Sequence, residues 1–457
     1  MGKEKVLDMT QGSPAKLIMQ FMIPMCLSNI FQQFYNIADS VVAGQFIGVD
    51  ALAAIGSTGS LMFFVTGWLN GLSSGFAILV SQWFGARDYD RMRHYVAMSV
   101  YLAAGCAVLM TAVLLFVNEP ILRLMNYSDD IMPDVKLYMG IIYAGLIVTA
   151  AYNSLAGFLR ALGDSRSPLY FLIISAVINV FLDIAFIVWF GMGVEGCAYA
   201  TVIAQAVSAL LCYFYIRKKF PILHLMKEDF RIRMKSFWRL LALGIPMGLQ
   251  FSITAVGTII VQGAVNVYGE AYMAGFSAAG KIQNMIATVF TSFGATIATY
   301  VGQNRGAGKM DRVRQGVRCT QVMILVWSVL AMVLMFFFGR QMTWLFISPS
   351  ETEVVHASVT YFRAVFWCYP FLGSIFLYRN TLQGMGYGLV PMIGGIFELV
   401  ARSSIVAVVA GHASFAGVCL SDPAAWISAL IPLVPYYFYT MRRFKKQEEE
   451  TACLMNH

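Results

Sequence analysis

Three carboxylates sit where a carboxylate costs most. Of the 24 Asp and Glu in the 457 residues, Asp39, Asp183 and Glu398 fall inside long apolar runs, and the others lie in loops, tails or the ends of runs. Burying one charge at the centre of a bilayer costs about 2.5–3.5 kcal/mol on insertion scales, so each of the three needs a partner or a task. Tyr35 stands four residues before Asp39, and Asn179 four before Asp183, so each shares a helical face with its acid. Thr201 lies on the next run, which returns in the opposite direction. Counted from the outer ends at 1.5 Å per residue, Asp39, Asp183 and Thr201 share a depth of roughly 10 Å below the outer surface. Two carboxylates, an amide and a hydroxyl converging there suit Na⁺ or a shared proton; two unrelated aspartates bonded to backbone would be the plainer arrangement.

Glu398 precedes Arg402 by four residues, the favoured order for a helical ion pair, and serves either as a structural pair or in substrate handling or gating. Lys281 has no sequence-local partner, and either lines a cavity or extends toward an interface. Pro24, fifteen residues before Asp39, removes a backbone hydrogen bond and predicts a kink, either a static bend or a hinge.

The elements that carry these residues are membrane helices. The chain is 59% hydrophobic and only 12% charged, against roughly 25% charged in a soluble domain. Twelve apolar runs are long enough to cross a bilayer, near 17–44, 52–80, 95–117, 137–159, 168–190, 193–216, 240–264, 275–301, 317–338, 360–382, 391–411 and 414–439. Backbone groups in hydrocarbon must be satisfied within the segment, so these runs are helices, and the fold class is all-α. Of the 32 Lys and Arg, 25 fall on one side if the N-terminus is inside, which predicts both termini in the cytoplasm and a multi-pass protein of the inner or plasma membrane. The net charge of +8 is thus a topology signal, and no nucleic-acid partner is expected.

The chain also repeats itself. Gln82, Gly85, Ala86, Asp90, Arg91 and Arg93 recur 221 residues later as Gln303, Gly306, Ala307, Asp311, Arg312 and Arg314. Ile23-Pro24-Met25 returns as Ile245-Pro246-Met247, Gly163 and Pro168 as Gly386 and Pro391, and Gly196 as Gly417. Six runs per copy is an even number, so the copies enter the membrane with the same orientation, as parallel repeats. The expected organisation is an N-terminal segment 1–16, a six-helix lobe 17–216, a basic linker 217–239, a second six-helix lobe 240–440, and a polar tail 441–457 whose last residues read as disordered. The carboxylates do not repeat: Asp39, Asp183 and Thr201 map near Val261, Val406 and Asp422.

Two soluble-looking motifs carry no nucleotide chemistry. Gly384-Met385-Gly386-Tyr387-Gly388 lacks a strand–helix context, and Gly308-Lys309 is followed by Met310 where a phosphate loop has Ser or Thr. Eight scattered cysteines show no metal or redox spacing. All five histidines lie in loops, the tail or run ends, which argues against an intramembrane enzyme.

Taken together, Ile23-Pro24, Tyr35-Asn36-x-x-Asp39, the paired Gln-x-x-Gly-Ala turns, Leu159-Arg160-Ala161-x-Gly163-Asp164, Asn179-x-x-x-Asp183 and Gly193-x-x-Gly196-x-Ala198-x-Ala200-Thr201 resemble the multidrug and toxic compound extrusion (MATE) family over about 14–440. The resemblance implies two six-helix bundles around a central cavity and export of drugs or metabolites in exchange for H⁺ or Na⁺, with no other cofactor. It places the cation site on Asp39, Asn179, Asp183 and Thr201, with Asn153 as a further candidate and Tyr35 positioning Asp39. Some branches carry acids on the seventh and tenth helices; here Thr254 and an acid-free tenth run stand instead, as in the first-lobe-coupled, DinF-like branch. The expected partners are a small-molecule substrate and the bilayer, and a monomer suffices for function. A lipid-linked saccharide flippase of the wider superfamily is the alternative, with Lys281, Arg379 and Arg402 as its candidate pyrophosphate ligands.

Overall fold

The computed structural model describes residues 7–48, 55, 56, 58–125, 131–410 and 414–455, and these are helical almost throughout. In chain order the helices are α1 (Pro14–Phe46), α2 (Gly59–Gly85), α3 (Tyr89–Leu124), α4 (Met132–Ala144), α5 (Leu146–Ala161), α6 (Arg166–Ile184) and α7 (Val194–Lys219). After short 3₁₀ turns come α8 (Met234–Asn266), α9 (Glu270–Gly306), α10 (Met310–Thr343), α11 (Thr352–Val365), α12 (Tyr369–Gly384), α13 (Leu389–Ala410), α14 (Phe415–Cys419) and α15 (Ser421–Met455).

Ten helical spans among the described residues are long and apolar enough to cross a membrane, the last running through α14 and α15, and α4 with α5, bent by 47°, make an eleventh. The remaining expected run, the tenth at 360–382, is α11 and α12, joined through the 3₁₀ turn Phe366–Cys368. Both breaks were unforeseen. At the first, Gly145 presses so closely on α7 that an added Cβ would meet Val202 at 2.5 Å. The helices also outrun the apolar windows, α3 by six residues at its start and seven at its end, because backbone hydrogen bonding continues past the point where hydropathy falls. The polar tail is a correction of the same kind. Residues 445–455 continue α15 as helix, with Lys445–Glu449 and Lys446–Glu450 pairs one turn apart, 3.7 and 3.8 Å.

The chain divides into two compact units, 1–11 with 20–248, and 12–19 with 249–457. The first half of α8 and the linker therefore pack with the first unit rather than opening the second. Within that unit, His94 bridges the Asp229 carbonyl oxygen and Ser236 Oγ at 3.1 Å each, and Arg93 reaches Asp229 at 3.4 Å, which ties the linker down. Gly71 and Gly75 of α2 face Gly244 and Gly248 of α8 so closely that an added Cβ at Gly75 would lie 2.7 Å from Gly244 Cα. Two four-spaced glycine pairs thus let these backbones touch, the packing mode of apolar solvents.

The repeated turns have a common physical cause. Ala86 N–H donates to the Gln82 carbonyl (3.0 Å) and Asp88 N–H to the Trp83 carbonyl (3.2 Å), with Arg87 at φ +57°. In the second copy Ala307 N–H donates to the Gln303 carbonyl (3.0 Å) and Lys309 N–H to the Asn304 carbonyl (2.9 Å), with Gly308 at φ +70°. Each is a left-handed C-terminal cap that satisfies the last carbonyls of a helix. Gly163 (φ +91°) and Gly386 (φ +83°) end α5 and α12 in the same way.

Candidate functional site

The first unit gathers the expected residues. α1 brings Asp39, α6 brings Asn179 and Asp183, and α7 brings Thr201; all four are buried, Asn179 and Asp183 completely. Tyr35, one turn before Asp39, donates its hydroxyl to Thr201 Oγ1 at 3.4 Å. One ligand atom each from Asp39, Asp183 and Cys197 lie within 4.8 Å of one another. Asn153 of α5 is half-buried, and no hydrogen bond joins it to this group among the described residues.

The group is polar inside an apolar shell. Val42, Val65, Leu69, Tyr138, Met139, Ile142, Ile187, Val194 and Ala198 pack as one buried cluster around this end of the unit. Asp39 Oδ1, both carboxylate oxygens of Asp183, and both polar side-chain atoms of Asn179 are buried with no hydrogen-bond partner. Orphaned buried polar atoms are rare and each costs about 1–3 kcal/mol, more when charged, so five in one place have the donor chemistry to hold a small cation or a proton. No salt bridge reaches Asp39 or Asp183 among the described residues. Two anionic carboxylates at this spacing repel by about 3.5 kcal/mol at an effective dielectric constant of 20. A proton or a small cation between them removes that repulsion. The oxygen donors suit Na⁺, whereas the Cys197 thiol is a soft ligand and forms wall rather than ligand for such an ion.

The supporting helices are locally irregular here. Directly after Asp183, α6 passes into a π-helical turn, Ala185–Trp189. π-bulges swing side chains off the α-helical register and recur at functional sites. Thr111 Oγ1 donates to the Tyr143 carbonyl (2.7 Å), satisfying a carbonyl near the α4–α5 break. In α1, Pro24 lies within the continuous helix, and Ser28 Oγ donates to its carbonyl at 2.9 Å.

Two residues near the group were missed by sequence reasoning. Cys197 precedes Thr201 by one turn on α7, and that spacing was the available signal. Tyr138 of α4 is buried within electrostatic reach of Asp39 and Asp183; nothing local in its sequence marks it.

In the second unit the expected Glu398–Arg402 pair is present, but it is not the closest contact of either residue. Glu398 of α13 bonds Arg379 of α12 closely and stands 3.8 Å from Arg402. Arg402 turns instead to Asp422, with Nε and Nη2 each at 3.2 Å from Oδ1. Tyr361 Oη donates to Asp422 Oδ2 at 2.8 Å. Gln250, 2.9 Å from Gln383, places its amide oxygen 3.2–3.3 Å from the Arg379 guanidinium when its amide is oriented to accept. Glu398 and Arg402 are thus two members of a four-charge network with no net charge, in which Arg379, Glu398 and Arg402 are buried and Asp422 is half-buried. Lys281 of α9 is exposed, its Nζ 5.4 Å from the Phe346 ring centre.

Comparison with known proteins bears on the family and the fold. "Probable multidrug resistance protein YpnP" of Bacillus subtilis is 28% identical over 440 residues, 95% of this chain and 97% of the relative. "FAD transporter" of Shewanella oneidensis is 23% identical over 375 residues, 80% of this chain and 81% of the relative. A solved structure described as the outward-facing conformation of a multidrug resistance MATE family transporter superposes with a TM-score of 0.89 at 20% identity, covering 96% of this chain and 99% of the other. One described as MATE in the bent conformation gives 0.90 at 20% identity, covering 97% and 99%. The MatE family model matches twice, over residues 24–185 and 246–408, once per repeat and together over most of the chain. The protein belongs to the MatE family.

Proposed function

We propose that the protein is a secondary active exporter of drugs, amphipathic organic cations or metabolites, driven by antiport with H⁺ or Na⁺ at the Asp39–Asn179–Asp183–Thr201 group. The carrying observation is the set of five orphaned polar atoms on Asp39, Asn179 and Asp183, which calls for a small cation or a proton. The drug-resistance names of the relatives support the cargo class, and the FAD transporter among them makes a flavin dinucleotide a second cargo to assay. Entry of one cation, bridging the two carboxylates or protonating one of them, lowers the charge of the pair from −2 to −1 and offsets their mutual repulsion. Asp39 then no longer repels Asp183, and α1 is free to shift about the proline at position 24, where one helical hydrogen bond is missing. One elementary charge crossing about 150 mV supplies about 3.5 kcal/mol, a concentration ratio of several hundred for an uncharged cargo; a cationic cargo needs the ion's own concentration gradient or a second ion. The flippase reading loses support, because Arg379 and Arg402 are already engaged with Glu398 and Asp422.

The test is dye efflux from proteoliposomes with a pH gradient and a Na⁺ gradient imposed separately. Asp39→Asn is expected to abolish gradient-driven efflux while the protein still inserts. Wild-type efflux by that variant at equal density would sink the proposal.

A further inference from the structure

Two members of the second unit's four-charge network, Arg402 and Asp422, fall at sequence counterparts of the first unit's polar group. The offset of 222 set by Pro24 and Pro246 carries Tyr35 to Gly257 and Asp39 to Val261. The offset of 223 set by Gly163 and Gly386 carries Tyr138 to Tyr361, Asn179 to Arg402 and Asp183 to Val406; that of 221 set by Gly196 and Gly417 carries Thr201 to Asp422. The break between α4 and α5 at Gly145 lands on Cys368, the end of the 3₁₀ turn between α11 and α12, so the tyrosines correspond without an added gap.

The exchanges compensate one another in volume and in charge. Where the first unit has the large Tyr35 and the small Asn179, the second has Gly257 and the large Arg402. Gly257 is what admits the guanidinium: a Cβ there would lie 3.1 Å from Arg402 Nη1 and 3.3 Å from its Cδ. The two acids of the first unit become valines, and a neutral threonine becomes Asp422, which takes Arg402 as its counter-ion at 3.2 Å and the Tyr361 hydroxyl at 2.8 Å. Arg379 meanwhile neutralises Glu398. Asp422 therefore has one cation, and that cation is covalently attached.

We propose that the second repeat retains a cation site of the same plan, permanently filled by the guanidinium of Arg402. The site does not exchange ions, so cation-dependent changes belong to the first unit alone. This rests on reading the first-unit group as a cation site. Removing the tether should convert the filled site into an open one for a small monovalent cation, guanidinium above all.

The experiment is thermal unfolding of purified protein in an Asp39→Asn background, where the first-unit group is disabled. Adding Arg402→Ala should lower the melting temperature, and millimolar guanidinium or Na⁺ should raise it again by a few degrees through mass action. The background variant should show no such rise, and a further Asp422→Asn should abolish it. If no cation restores Arg402→Ala, or if restoration survives Asp422→Asn, the proposal is overturned. Should Arg402→Ala fail to accumulate, the double variant Arg402→Ala/Asp422→Asn decides. Recovered accumulation identifies an uncompensated charge as the defect and supports the proposal, whereas equal failure makes the role of Arg402 packing and overturns it. Loss of a wild-type cation shift on Asp39→Asn reports separately on the first unit.

Discussion

At the scale of single residues, Asp183 differs from its neighbours in having both carboxylate oxygens buried without a partner. A group so placed contributes only when a cation or proton is present, so Asp183→Asn should weaken cation binding by roughly tenfold to a hundredfold, the worth of one interaction to a charged group. Thr201→Val removes only a hydroxyl, whose 3.4 Å bond to Tyr35 is long, and should cost well under that. Cys197 sharpens the chemistry. Its sulfur lies within the same 4.8 Å sphere as the two acids, a geometry that would also suit a soft metal. If the ion is Na⁺ or H⁺, Cys197→Ala leaves dye efflux near the wild-type rate; loss of efflux together with cadmium or zinc binding would reassign the site to a soft metal. Titration calorimetry of the three variants with Na⁺, alongside efflux, reads both outcomes.

At the scale of elements, the turns and breaks hold the helices at the angles that bring these side chains together. Gly163 is the most constrained of them. Its φ of +91° is left-handed, and an added Cβ would lie 2.3 Å from the Leu7 carbonyl oxygen. Gly163→Ala should therefore lose about 1–3 kcal/mol of stability and visibly lower the melting temperature. Arg87 provides the internal control. It adopts φ +57° where the second repeat has Gly308, so Arg87→Gly should be neutral or slightly stabilising. An unchanged melting temperature for Gly163→Ala together with a lowered one for Arg87→Gly would show that the cap's backbone geometry is not what the repeat preserves. In α1, Pro24→Ala restores a backbone donor, and the expected outcome is unchanged or higher thermal stability with slower efflux. Faster or unaltered efflux would remove Pro24 from the transport cycle.

At the scale of the whole molecule, two features were legible in the sequence for physical reasons that act locally: spans long enough to cross a bilayer, and a repeat whose turns need particular residues. The convergence of Asp39, Asn179, Asp183 and Thr201 was also legible, because helical rise converts sequence position into depth. What stayed hidden depends on tertiary approach. Glu398 pairs closely with Arg379, nineteen residues away on another helix, and only loosely with Arg402 one turn on, so the i,i+4 rule found the weaker partner. Asp422 looked like a helix-end residue and is the counter-ion of Arg402, while Cys197 was one of eight scattered cysteines and nothing local marked Tyr138. The sum is an asymmetric machine on a symmetric scaffold, with an uncompensated acid pair in one unit and balanced charges in the other. That asymmetry predicts where the molecule responds. A ligand that binds only the folded first unit stabilises the elements it bridges by mass action. Hydrogen–deuterium exchange with and without saturating Na⁺, and at two proton concentrations, should slow in residues 29–46 and 176–201 and stay unchanged in 395–424. In Asp39→Asn the first-unit response should vanish. Protection appearing equally in both units would mean that the second network exchanges ions after all, and that the duplication preserved the chemistry along with the scaffold.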